Sequence, residues 1–253
     1  MDLFDIEKHG SVTTLRLKPT DSLIGHDVGD RDALLRALYD AGATQQKVLI
    51  FEVPEGRFSP AAVDRVLERG QEILAQKGPR FKGKIHLLLS LQYTYEWVIN
   101  FLHESTIVVV AAFDGEVDFD LLGLLLGCDY RICSERARLV NRVVERGVGP
   151  ASALLWYLSR SLGDSQAMGL LLEGRSLDAS EARDLGLVNQ VAPVEQLGRE
   201  ARALADRLAA KPTEALHSLL AARAATNSDL ARYLKEFGVG FEHLPRQDGG
   251  RKR

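Results

Sequence analysis

Asp118 and Asp120 stand immediately before the apolar segment Leu121–Cys128, and a third carboxylate, Glu145, lies between Arg142 and Arg146. An aspartate in front of an apolar helix can do two things. It can cap the first turn by accepting a backbone N–H. It can also serve as acid or base beside a ligand drawn to the positive end of the helix. Asp118 or Asp120 is therefore read as the N-cap of Leu121–Cys128, with Asp120 and Glu145 as the acid/base candidates. The arginines on either side of Glu145 give it the look of a solvated face.

Other chemistries lack their residues. There is no HExxH, no paired CxxC and no His/carboxylate cluster, so no metal centre is expected. His26, His86 and His103 are isolated. G-x-S-x-G, G-x-G-x-x-G and P-loop patterns are absent too. A net charge of −3 gives no basic field for nucleic acid. The two cysteines, Cys128 and Cys133, sit in apolar surroundings and read as buried thiols, which points to a cytoplasmic protein. MDLFDIEKHG lacks the apolar core of a secretory signal, and no run is long enough to span a membrane.

The elements that must position these residues follow from periodicity. Val12–Leu17 and Lys47–Val53 read as strands, with a short amphipathic helix over Asp32–Ala41 between them. Lys84–Leu89 reads as a further strand, followed by a helix over Tyr93–Phe101 whose Tyr93, Tyr95 and Trp97, with His103, could shape a pocket. The buried run Ile107–Phe113 reaches a turn at Asp114-Gly115, then the apolar helix, then a short strand at Tyr130–Cys133. From Ala151 the chain is helical, with Asp178 or Ser180 capping Ser180–Leu185 and two long helices at Val194–Ala210 and Pro212–Ala225. This pattern by itself says α/β; 253 residues with 45% hydrophobic and 26% charged content suit one large soluble domain.

Thr106–Asp129 resembles the crotonase (enoyl-CoA hydratase/isomerase) superfamily signature PxIAAVNGxAxGGGxExALACDxRIA, with matching spacing from Gly115 to Asp129. GVGP at Gly147–Pro150 and the stretch Leu158–Val191, ending in EARDLGLVNQV, extend the likeness. The resemblance implies a crotonase-like α/β spiral of ββα repeats forming two nearly perpendicular sheets, residues 1–192. A C-terminal helical region, 193–253, would drive assembly into a trimer or hexamer. Carried over residue by residue, the backbone N–H groups of Ala62 and Asp120 fall on the oxyanion hole. Lys18 and Arg65 fall on the positions facing coenzyme A.

The catalytic positions depart from the family. Its triple glycine is Phe119-Asp120-Leu121 here, and its two water-activating glutamates are Gly123 and Val143. The Asn-Ala-Leu motif is replaced around Ser22–His26, and the usual E-G-x-x-A-F segment is missing before the Arg-Lys-Arg tail. The implied function is a divergent member without hydratase activity. It would bind an acyl-CoA-like ligand or assemble with an active paralogue, with no cofactor beyond a coenzyme A thioester as ligand or substrate. The alternative is an active acyl-CoA isomerase, hydrolase or lyase using Asp120 or Glu145 with a backbone oxyanion hole.

Overall fold

The computed structural model describes residues 3–18, 28–43, 46–77, 83–147 and 150–237. Its main sheet has six strands in the order β1-β2-β3-β4-β6-β9. These are β1 (Phe4–His9), β2 (Val12–Leu17), β3 (Val48–Val53), β4 (Val108–Phe113), β6 (Tyr130–Ser134) and β9 (Gln190–Ala192). Only β1 runs antiparallel to its neighbour. A second sheet joins β5 (Glu116–Asp118), β7 (Arg138–Val140) and β8 (Leu177–Asp178). The chain alternates between the two sheets: β4 then β5, β6 then β7, β8 then β9. That alternation is the expected spiral.

Period-two patterning explains why the main sheet is covered on both faces. Leu49, Phe51 and Val53 enter one core with Val109, Ala111 and Phe113. Val48, Ile50, Val108, Val110 and Ala112 enter the other. The first core is closed by helices α1 (Val28–Ala43), α2 (Pro60–Lys77), α3 (Gly83–Glu104), α4 (Phe119–Leu126) and α5 (Leu154–Leu162). After α6 (Asp164–Leu172) and α7 (Ala179–Asp184), α8 (Leu197–Ala209) and α9 (Thr213–Thr226) close the second. The last described helix, α10 (Leu230–Phe237), returns Leu230 and Leu234 to the first core.

One expected strand is wrong. Lys84–Leu89 belongs to α3, a helix of 22 residues. The run looked like a strand in isolation, but its continuation to Glu104 has no glycine or proline to break it, and a long helix forms instead. Asp178 rather than Ser180 caps α7, in a reciprocal capping box with Glu181. His26 and the Ser22–His26 segment lie outside the described residues.

Candidate functional site

The start of α4 is where the sequence puts the chemistry, and the local order follows from Asp118. Its backbone is extended (φ −71°, ψ 141°) and its side chain accepts the Asp120 N–H at 3.0 Å. Asp118 is thus the N-cap, and every residue of α4 behind it is buried. Phe119 and Leu121 point into the first core.

Burying Asp118 and Asp120 requires a counter-charge, and Arg146 supplies it. Its Nη1 and Nη2 each lie 2.8 Å from an oxygen of Asp118. Nη1 also donates to Asp120 at 3.1 Å, and Nε to Asp64 on α2 at 3.1 Å. The Arg146 side chain is 5% exposed and that of Asp118 is 0% exposed. Asp64 is shared with Arg142, whose Nη1 donates to it at 2.6 Å. Burial pushes the Asp120 carboxyl up to about 7, and the charge of Asp118 adds to the rise; Arg146 opposes both. Burial and Asp120 raise the Tyr95 phenol above its ordinary value, while the buried Arg57 guanidinium pulls the other way.

The two N–H groups expected to form an oxyanion hole already have acceptors. Asp120 N–H goes to Asp118, and Ala62 N–H goes to the Ser59 carbonyl at 3.0 Å and its hydroxyl at 3.3 Å. Of the two aspartates read as possible caps, the structure selects Asp118. Asp118 is the cap, so the N–H is consumed and the Asp120 carboxylate turns to Arg146.

The first glutamate position is closed as well. A Cβ on Gly123 would lie 1.9 Å from the Ser152 carbonyl oxygen. That carbonyl is fixed by two successive left-handed residues, Ser152 (φ 56°) and Ala153 (φ 54°), and by the Ser152 hydroxyl donating to the Asp120 carbonyl at 2.7 Å. Consecutive non-glycine residues in this region carry strain that the surrounding contacts hold in place. At the second glutamate position Val143 is buried. Glu145 is 65% exposed and pairs with Arg142 at 3.6 Å, away from the Asp118–Asp120–Arg146 cluster.

The coenzyme A candidates are Lys18 and Arg65. Lys18 makes an ion pair with Asp5 at 2.8 Å, and Arg65 is exposed on α2. Tyr95 is buried against α4, whereas Trp97 is half exposed. The residues missed from sequence were Asp64, Arg146 and Ser152. The available signal was charge: two aspartates entering an apolar helix need a cation, and Arg142 and Arg146 stand one helical turn apart.

This architecture and its altered centre can be set beside known proteins. The profile of the enoyl-CoA hydratase/isomerase family matches residues 86–249. The chain belongs to that family. A Thermus thermophilus protein assigned to the enoyl-CoA hydratases is 35% identical over 178 residues, 70% of this chain and 66% of that one. The 4-chlorobenzoyl coenzyme A dehalogenase-1 of an Arthrobacter species is 32% identical over 136 residues, 54% of this chain and 49% of its own. The matched regions thus span from about half to about two thirds of these relatives' lengths, 49% and 66%. Among solved structures, an enoyl-CoA hydratase from Mycobacterium avium subsp. paratuberculosis superposes with a TM-score of 0.76 at 22% identity, covering 97% of this chain and 91% of that one. At that identity the likeness establishes the fold. Among the described residues, no group of three metal-ligating side chains occurs and no helix is long and apolar enough to cross a membrane.

Proposed function

We propose that this chain is a non-hydrating member of its family whose role is to assemble with an active family subunit. One observation carries the reading. The Asp120 N–H at the start of α4 is spent on Asp118 and each carboxylate gives an oxygen to Arg146, while Asp120 Oδ1 is buried without a hydrogen-bond partner among the described residues. Oxyanion stabilisation depends on donors aimed at the developing charge and otherwise unengaged. Here, opening the Asp120 N–H to a thioester would break a helix cap and desolvate two aspartates. Gly123 and Val143 then leave no acid or base where the family activates water, a contribution of about 10²–10⁴-fold per group.

Two measurements test this. Crotonyl-CoA hydration by the purified chain is expected to be undetectable, and turnover within about tenfold of an ordinary hydratase would overturn the reading. Mixed with an active family member from its own source, the chain is expected to sediment as a hetero-oligomer. Persistent separate species would remove the assembly role.

A second reading has its own support. An aspartic acid that titrates near neutrality, as Asp120 does at about 7, suits proton transfer. Under that reading some acyl-CoA isomerisation or hydrolysis is measurable and Asp120→Asn abolishes it; unchanged rates in the variant would eliminate it.

A further inference from the structure

The opposite end of α4 borders a cavity of about 290 Å³, enclosed by the ends of α3 and α4 and by α5 and α9. It is at the small end of the range for small-molecule sites, about 300–1,000 Å³. Neither candidate oxyanion N–H lines it. We propose that this cavity binds a small organic monocarboxylate.

Charge is the first argument. The lining carries two guanidiniums, Arg160 and Arg223, against one carboxylate, Asp129. The next charges out, Arg131 and Asp229, cancel and leave that excess of one. Arg131 also covers the negative end of α4, donating to the carbonyls of Cys128 at 2.7 Å and Leu126 at 3.4 Å. Asp229 is engaged outside, 3.5 Å from Arg160 and accepting from the Trp156 indole at 3.3 Å. Glu104 is a further carboxylate near His103, but it is exposed and does not line the cavity. Burial, with the charge of Arg223, holds the His103 imidazole below its ordinary value.

An unspent hydrogen-bonding group is the second argument. Arg223 gives its two terminal nitrogens to Asp129 and to the His103 and Ser105 carbonyls, but its buried Nε has no acceptor among the described residues. The Tyr157 hydroxyl also lines the cavity, and burial raises its pKa, so it is held as a donor. The Asn227 amide lies on the same wall. A buried donor without an acceptor costs free energy until something accepts from it. A carboxylate brings acceptors and one negative charge together. Leu102 and Leu126 on the walls suit an apolar body behind that head.

Benzoate is the probe, with uncharged benzamide of the same shape and inorganic phosphate as comparators. All are titrated by calorimetry into the full chain up to about 10 mM, a range that captures millimolar affinity. Benzoate is expected to saturate, with benzamide binding at least about tenfold more weakly, the scale of one charge-assisted hydrogen bond. Tyr157→Phe removes only the hydroxyl, and Arg160→Gln only a charge at the mouth. Each is expected to weaken benzoate about tenfold with the melting temperature unchanged. Absence of saturable benzoate binding overturns the proposal. So does equal binding of benzamide, tighter binding of phosphate, or an affinity that neither substitution changes. Should Tyr157→Phe fold poorly, the Arg160→Gln result decides.

Discussion

The two ends of α4 solve the same problem in opposite ways. Each ends at an aspartate paired with an arginine: Asp118 with Arg146, and Asp129 with Arg223. At the first end the arginine is sealed in by three carboxylates and a neighbouring backbone carbonyl packs against Gly123. At the second end a cavity remains beside the pair, and Gly127 faces only side-chain tips, the Tyr157 hydroxyl and a methyl of Leu102. A family signature fixes the path of the backbone, but whether donors stay available for a ligand depends on the side chains folded over them.

Removing the arginine at each end tests this contrast most strongly. Arg146→Gln leaves buried aspartates without their cation and is expected to lower stability by about 3–5 kcal/mol. Arg223→Gln should cost about 1–2 kcal/mol, because Asp129 keeps the Val109 N–H at 2.8 Å as a donor. Chemical denaturation of both variants measures the difference, and equal losses would erase the distinction. The glycines give a smaller contrast. Gly123→Ala drives a methyl into a fixed carbonyl and should cost about 1–3 kcal/mol or more. Gly127→Ala meets only movable tips within helical backbone (φ −70°) and should change stability by less than about 1 kcal/mol. A Gly123→Ala variant as stable as the parent would show that the Ser152 segment yields easily.

The smallest effect is one of pH. Asp120 titrates near its ordinary 3.8 when unfolded and at about 7 in the fold. Between these values the folded state holds a proton that the unfolded state has released. Its contribution to stability is therefore largest at low pH and falls as pH rises from about 4 to about 7. Asp120→Asn is expected to flatten that fall, so the variant gains on the parent above pH 7 and the gap closes toward pH 4. A gap that widens as pH drops would mean Arg146 outweighs burial and holds Asp120 ionised.

The fold was legible because the spacing from Gly115 to Asp129 and the EARDLGLVNQV tail are properties of contiguous chain. Lys84–Leu89 was misread because a six-residue stretch with four apolar residues fits a buried strand and a buried helix equally well, and only the uninterrupted run to Glu104 separates them. The closed site was legible in part. The sequence offered Asp118 as a cap and showed that Gly123 and Val143 bear no titratable group. It gave no sign that Ser152 fills the space above Gly123, since that depends on two left-handed residues of types that rarely adopt that conformation. Nor did it reveal Arg146, whose partners Asp118 and Asp64 lie 28 and 82 residues away.

Those separations also bear on how the protein comes apart. Arg146 ties the turn after β7 to the start of α4 and to α2, so its contacts form only once all three have been brought together. Closing such long loops costs chain entropy that is recovered late. The cluster therefore acts as a latch set after the main barrier, slowing escape from the native state more than it speeds arrival. Stopped-flow kinetics of Arg146→Gln should show faster unfolding with nearly unchanged refolding. An equal slowing of refolding would place the latch inside the folding nucleus.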